Sequence, residues 1–281
     1  MPKIDLHMHS TASDGLLSPS EVVRSARDLG LTTIALTDHD TTDGVAEAHA
    51  AGRELGVEVI AGLEINSEDA SGDIHFLGYF VDPANAMLQE KLLDIRDARV
   101  GRARGMLKKL AEMGMPVAWA RVLDIAGDAS SIARPHIARA LLEAGHVAST
   151  QEAFDKYIDN NGPAYVNRLR LTPQETIDIV HTAGGLIVLA HPPRAGTVDL
   201  IPMLQDLGLD GIEVYYPEHT PDEIAMLEKI AADRGLLMTG GSDFHGWNDG
   251  VHANLGDMVV PPECADRLRD RAVGGVSRRS P

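Results

Sequence analysis

Three times in this chain a Ser or Thr is followed by Pro and then, two residues on, by Glu: Ser18-Pro19-Ser20-Glu21, Thr172-Pro173-Gln174-Glu175 and Thr220-Pro221-Asp222-Glu223. Each is a helix start written in side chains. The hydroxyl accepts an otherwise unpaired amide of the first turn. Pro fills the position whose N–H would have no partner, and Glu reaches back to the cap residue's own N–H. The pattern predicts helices running to about residues 29, 181 and 232. Two more amphipathic segments, 45–55 and 200–207, read as helices. Short apolar runs alternate with them at 3–6, 31–36, 57–61, 186–190, 211–214 and 236–239. Repeated strand–helix units imply an α/β fold with a parallel sheet or barrel, because parallel neighbours need a crossover and a helix supplies it.

Residues 91–170 break this rhythm. They read as consecutive helices, and they hold 13 Lys and Arg against 9 Asp and Glu, whereas the remainder holds 12 against 33. The reading is a scaffold of residues 1–90 and 171–281 with an inserted helical substrate-cap domain at 91–170. The tail from Ala272 is expected to fray. The overall charge of −17 disfavours a long nucleic-acid duplex or an anionic membrane surface. One cysteine, Cys264, excludes an intramolecular disulfide framework and a Cys-rich zinc site. No apolar run approaches the roughly 18 residues that span a bilayer. Met1-Pro2-Lys3-Ile4-Asp5 has no signal- or transit-peptide features, so the expected location is the cytoplasm.

Twelve histidines accompany 42 carboxylates, and they are not scattered evenly. His7 and His9 lie at the end of the first strand, two residues apart and so on one side of it. Asp14 follows in the loop. Thr37-Asp38-His39-Asp40 follows the second strand, Glu64 the third, and His191 the run at 186–190. Asp243 and His245 repeat the two-residue spacing after the last strand. His75, in Gly72-Asp73-Ile74-His75-Phe76-Leu77-Gly78, reads as part of a hairpin strand. The carboxyl-end rim of a β/α barrel is where its loops converge. Six His, two Asp and one Glu on that rim exceed what one tetrahedral ion needs and suit two or three ions sharing bridging ligands. His49, His146, His181, His219 and His252 lie off this pattern and read as structural or solvated. Asp5, Asp38 and Asp40 are expected to orient imidazoles, and Gly240-Gly241 to bring the backbone close to the ions.

As a set, His7-x-His9, Asp14, Thr37-Asp38-His39-Asp40, Glu64, His75, His191 and Asp243-Phe244-His245 resemble the PHP (polymerase and histidinol phosphatase) family of metal-dependent phosphoesterases. The resemblance spans nearly the whole chain and implies a distorted (β/α)7 barrel. It also implies a division of ligands: His7, His9, Glu64 and Asp243 on one ion, Glu64 bridging to a second held by His75 and His191, and Asp14, His39 and His245 on a third. Mn, Fe and Zn all suit such ligands.

Ser131-Ile132-Ala133-Arg134-Pro135-His136 is similar to the Arg-Pro-His motif of the family's stand-alone branch. That branch includes nucleoside 3′,5′-bisphosphate phosphatases and 5′–3′ exoribonucleases. The resemblance implies that Arg134 and His136 bind substrate phosphate and assist its reaction, with Arg168 a further substrate contact. The implied chemistry is phosphate-ester hydrolysis by a metal-bridging hydroxide, with His191 or His136 protonating the leaving oxygen. The implied substrate is a small nucleotide or short RNA, not duplex DNA. Histidinol phosphate, a non-phosphate substrate, and a non-catalytic metal-binding module are the alternatives; oligomeric state is not readable.

Overall fold

A computed structural model describes residues 2–69, 72–127, 132–160, 162–166, 171–246 and 253–276. The chain forms two compact units, Met1–Glu90 with Arg170–Pro281, and Lys91–Leu169.

In the first unit β1 (Lys3–Asp5), α1 (Pro19–Asp28), β2 (Leu31–Leu36), α2 (Val45–Leu55) and β3 (Glu58–Asp69) follow one another as strand–helix units. β4 (Gly72–Tyr79) then returns directly. Helix α3 (Ala86–Glu112) leads into the second unit, followed there by α4 (Trp119–Ala126), α5 (Arg134–Glu143), α6 (Thr150–Ala153) and a π-helical turn, Phe154–Ile158. The first unit resumes with α7 (Pro173–Thr182), β5 (Leu186–Leu189), α8 (Pro192–Ala195), a 3₁₀ turn Val198–Leu200, α9 (Ile201–Leu207), β6 (Gly211–Tyr215), α10 (Pro221–Arg234), β7 (Leu237–Gly240) and α11 (Glu263–Val276).

All three Pro-containing starts form capping boxes. The Ser18, Thr172 and Thr220 hydroxyls accept the amides of Glu21, Glu175 and Glu223, whose carboxylates accept the cap amides at 2.8 Å. α1 buries Pro19, Val22, Val23 and Ala26, the period-3.6 stripe, against Leu31, Ile34 and Leu36 of β2.

The seven strands lie in sequence order in one sheet. β1–β3 are mutually parallel, as are β5–β7, and β4 is antiparallel to both its neighbours. The reason is local. β3 does not end near residue 61 as its apolar run suggests, but continues through Glu64-Ile65-Asn66-Ser67 and pairs back on β4 from Gly62↔Tyr79 to Asp69↔Gly72. A hairpin needs no crossover helix, so one strand reverses. The sheet edges meet beyond β1 and β7. Leu6 N–H donates to Gly240 O at 3.1 Å, His9 N–H to Phe244 O at 2.8 Å, and Asp243 N–H to His7 O at 2.9 Å. The sheet is thereby a distorted, closed barrel.

The second unit has its own core, including Met106, Leu110, Val122, Ile137, Leu141 and Ile158. Helix α11 continues to Val276, past the point where the tail was expected to fray. Among the described residues no helix is long and apolar enough to cross a membrane.

Candidate metal centre

The chain after β1 alternates. Met8 packs among the side chains of α1 and β2, while His7 and His9 point the other way and are completely buried. Glu64 comes from inside β3, His75 from inside the reversed β4, and His191 from the residue before α8. Asp243 and His245 come from the loop after β7, with Asp14 and His39 from the loops after β1 and β2. Glu64 therefore does not follow a strand end as expected, whereas His75 lies in a hairpin strand as its segment predicts. The extended β3–β4 hairpin carries them.

These nine side chains form three groups whose ligand atoms lie within 4.8 Å of one another. One is His7, His9, Glu64 and Asp243, another is Glu64, His75 and His191, and the third is His9, Asp14, His39 and His245. His9 thus joins two groups, one more membership than expected. Glu64 is the hub. Its Oε2 lies 3.2 Å from His7 Nε2 and 3.3 Å from both His9 Nε2 and His39 Nδ1; its Oε1 lies 2.8 Å from His75 Nδ1 and 3.6 Å from His191 Nε2. Asp243 Oδ1 lies 3.1 Å from His9 Nε2 and 3.2 Å from His7 Nε2.

Does this donor set fit metal ions? Two hydrogen bonds fix which nitrogens face inward. His7 Nδ1 donates to Glu213 Oε1 at 3.0 Å and His245 Nδ1 donates to the Asp243 carbonyl at 2.8 Å, so the Nε2 lone pair of each neutral ring turns towards the carboxylates. His9 Nδ1, His39 Nδ1 and His191 Nδ1 are buried with no hydrogen-bond partner among the described residues. His9 Nδ1 faces Asp14 Oδ1 at 3.9 Å and His39 Nδ1 faces Glu64 Oε2 at 3.3 Å; buried, unpaired imidazole nitrogens facing carboxylate oxygens are costly as they stand, and are satisfied by divalent cations. The donors fit the group.

The electrostatics without metal agree. Burial lowers the His9 imidazole, but Asp243 and Glu64 outweigh it and raise it to about 10. Burial pulls His39 down to about 3 despite Glu64 and Asp14. Burial raises Asp14, Glu64 and Asp243, yet the surrounding imidazoles hold all three well below the usual carboxylate range. The cluster is built around concentrated negative charge.

The supporting residues differ from those expected. Asp5 accepts the amides of Ser242 and Gly256, both at 3.0 Å. Asp38 accepts from the Ser10 amide and from the Ser10 and Ser13 hydroxyls, each at 2.7 Å. Asp40 accepts the Asn66 amide at 3.3 Å. Through these bonds the three carboxylates hold backbone amides and serine hydroxyls of the loops. The imidazole is oriented by Glu213, fully buried on β6, whose Oε2 also accepts the His191 amide at 2.9 Å. Tyr216 donates its hydroxyl to Asp243 Oδ2 at 3.0 Å. Gly240 and Gly241 do allow close approach, but to the backbones of Tyr215 and His7, where a Cβ would collide. Sequence reasoning missed Glu213, Tyr216 and Arg194. A lone Glu within the apolar run of β6 was the signal for the first.

Among the described residues, three of the four non-glycine residues with positive φ sit here: Asp40 at 51°, His191 at 30° and Asp243 at 52°. Such backbone costs of order 1–3 kcal/mol per residue and persists where its surroundings over-determine it. A cavity of about 200 Å³ opens over the cluster, lined by His39, Glu64, His75, His191, Arg194, Tyr216 and Asp243 among others.

In the second unit, Arg134 opens α5 and donates to Asp159 Oδ1 at 3.0 Å. His136 is buried in the first turn, where Nδ1 accepts the Ala133 amide at 3.1 Å. Arg168 and His252 lie outside the described residues. Of the remaining histidines, His219 bonds the Val214 carbonyl, His181 bonds Asp210, and His146 bonds the Pro116 carbonyl.

Comparison with known proteins finds the PHP domain model matching residues 5–238. A 5′–3′ exoribonuclease of Haemophilus influenzae is 35% identical over 268 residues, covering 92% of this chain and 97% of that protein. A 3′,5′-nucleoside bisphosphate phosphatase of Chromobacterium violaceum is 34% identical over 275 residues and 96% of each chain. A crystal structure of a Bifidobacterium adolescentis protein classed as a metal-dependent phosphoesterase superposes with a TM-score of 0.86 at 32% identity, over 96% of each chain.

Proposed function

This chain belongs to the PHP-domain family of metal-dependent phosphoesterases, and from that premise we propose that it removes phosphate from small nucleotides, nucleoside 3′,5′-bisphosphates foremost. The observation that carries the reading is the hub at Glu64, around which three ligand groups share one buried wall. We assign His7, His9, Glu64 and Asp243 to one ion, Glu64, His75 and His191 to a second, and Asp14, His39 and His245, with His9 beside them, to a third. Mn, Fe and Zn all remain compatible with N and O donors. Bound divalent ions would neutralise phosphate oxygens and lower the pKa of an attacking water.

The chain's own residues do the rest. Glu213 and Tyr216 fix the orientation of His7 and Asp243, so the ligand set is rigid before substrate arrives. His191 or His136 is the candidate for protonating the leaving oxygen, and His136 is the one of the two not also assigned to an ion. Arg134 and His136 are proposed to receive substrate phosphate from the helical unit, with Arg168 as a further contact. The net positive charge of 91–170 suits a short anionic ligand. The relative named as a 5′–3′ exoribonuclease, matched over 97% of its length, favours trimming of short 5′-phosphorylated RNA as a second activity of the same centre.

The test combines metal analysis with phosphate release from nucleoside 3′,5′-bisphosphates, 5′-phosphorylated oligoribonucleotides and histidinol phosphate. His9→Ala and Asp243→Ala are expected to lose metal and at least about 100-fold in turnover. Full activity in both variants would refute the assignment. Preference for histidinol phosphate would overturn the nucleotide specificity but not the chemistry.

A further inference from the structure

Arg194 is the one Lys or Arg among the described residues lining the cavity over the cluster, and the family resemblance gave it no role. Its place is set by the backbone of the centre itself. His191 takes a left-handed conformation, Pro192–Ala195 makes one short turn, and Gly196 closes it at φ 68°. The turn carries the side chain three residues beyond His191 back over the cavity that His191 lines. Nε donates to Glu218 Oε2 at 3.1 Å. Among the described residues its side chain makes that one hydrogen bond, which leaves both Nη groups for another acceptor. Tyr216 and Asp243 are near enough to act on its charge. Half the side chain remains exposed.

A solvated surface pair would need only Glu218. Here the arginine lines the same cavity as three carboxylates, Glu64, Asp243 and Glu218, of which two belong to the ligand groups, and Asp243 and Glu218 act on its charge. Once ions occupy those groups, the space between them and Arg194 is enclosed by positive charge on both sides. A guanidinium with two parallel N–H vectors matches two phosphoryl oxygens, a geometry Lys cannot reproduce.

Resting on the phosphoesterase reading, we propose that Arg194 grips the non-reacting oxygens of the phosphate undergoing hydrolysis, with Glu218 holding its Nε so that the Nη edge faces the cavity. The chemical class it recognises is the phosphoryl group itself, whatever the leaving alcohol.

The experiment compares metal-loaded wild type, Arg194→Gln and Arg194→Lys. It measures metal content by mass spectrometry, inorganic phosphate binding by calorimetry, and kinetics with p-nitrophenyl phosphate and adenosine 3′,5′-bisphosphate. Arg194→Gln is expected to keep its metal and thermal midpoint. It should raise the Kd for inorganic phosphate and the KM for both esters at least about 10-fold, with Arg194→Lys between it and wild type. Unchanged phosphate affinity overturns the proposal, and so does loss of metal from Arg194→Gln. A defect confined to the bisphosphate also overturns it, because Arg194 would then hold a second, unreacting phosphate. If wild type cleaves no ester, the phosphoesterase reading fails separately, while the ratio of phosphate affinities still decides the role of Arg194.

Discussion

Glu213 shows how a single buried carboxylate links two parts of the centre. One oxygen takes the His7 N–H and the other the His191 amide, so one side chain sets both an imidazole tautomer and the backbone that presents a second ligand. Replacing Glu213 by Gln keeps the shape but puts an NH₂ against one of these donors. Metal affinity is expected to fall by about 10–100-fold, read by competition with a chromogenic chelator; unchanged affinity would reduce Glu213 to a packing residue. The nine inward-facing side chains were legible because their types are unusual and, His75 in its hairpin strand aside, they follow predicted strands. Glu213 and Tyr216 were not, because each sits in or beside an apolar strand and acts through another residue. Asp38 was misread for the complementary reason. A carboxylate next to a histidine in sequence need not touch it, and here it collects Ser10 and Ser13 instead.

Helix starts were the most legible elements, since capping chemistry is local and needs no tertiary context. That same locality makes their contribution measurable. Thr220→Ala should cost about 1 kcal/mol of stability, seen as a lowered thermal midpoint with metal content unchanged. Glu21 and Glu223 are held below their ordinary value, first by the cap-residue amide and then by the cap hydroxyl. A depressed folded-state pKa stabilises above the unfolded value and is lost as pH falls through the folded one. The deficit of Thr220→Ala relative to wild type should therefore shrink as pH drops below about 4.5; a deficit that grows with acid would contradict the capping role. The β3–β4 hairpin was the least legible element. Asn66, Ser67, Glu68 and Asp69 have loop composition, yet pairing with β4 satisfies their backbone and makes them strand. Pairing across the hairpin decides this, and sequence periodicity does not report it.

At the scale of the molecule, the strongly acidic first unit concentrates carboxylates at one rim, where ions must offset them. Chelation should lower stability, and with it the thermal midpoint, by about 2.7 kcal/mol of unfolding free energy for each site that had been held at 100 times its Kd. Hydrogen exchange should then quicken around residues 7–9, 64, 75 and 243, while the separate core around Leu110 and Leu141 stays protected. Uniform loss of protection in both units would contradict independent cores. The closure of the sheet has a further consequence, in time rather than space. His9 and Asp243 touch across 234 residues, and the ligand group they share has no local nucleus. During synthesis the amino-terminal strand must wait, its two histidines with Glu64 but without Asp243, until nearly the whole chain has left the ribosome. Ion capture by that group is thus a late event that reports completion of the barrel. A chain truncated before residue 243 carries about 86% of the sequence and still lacks the carboxylate that completes its first ligand group.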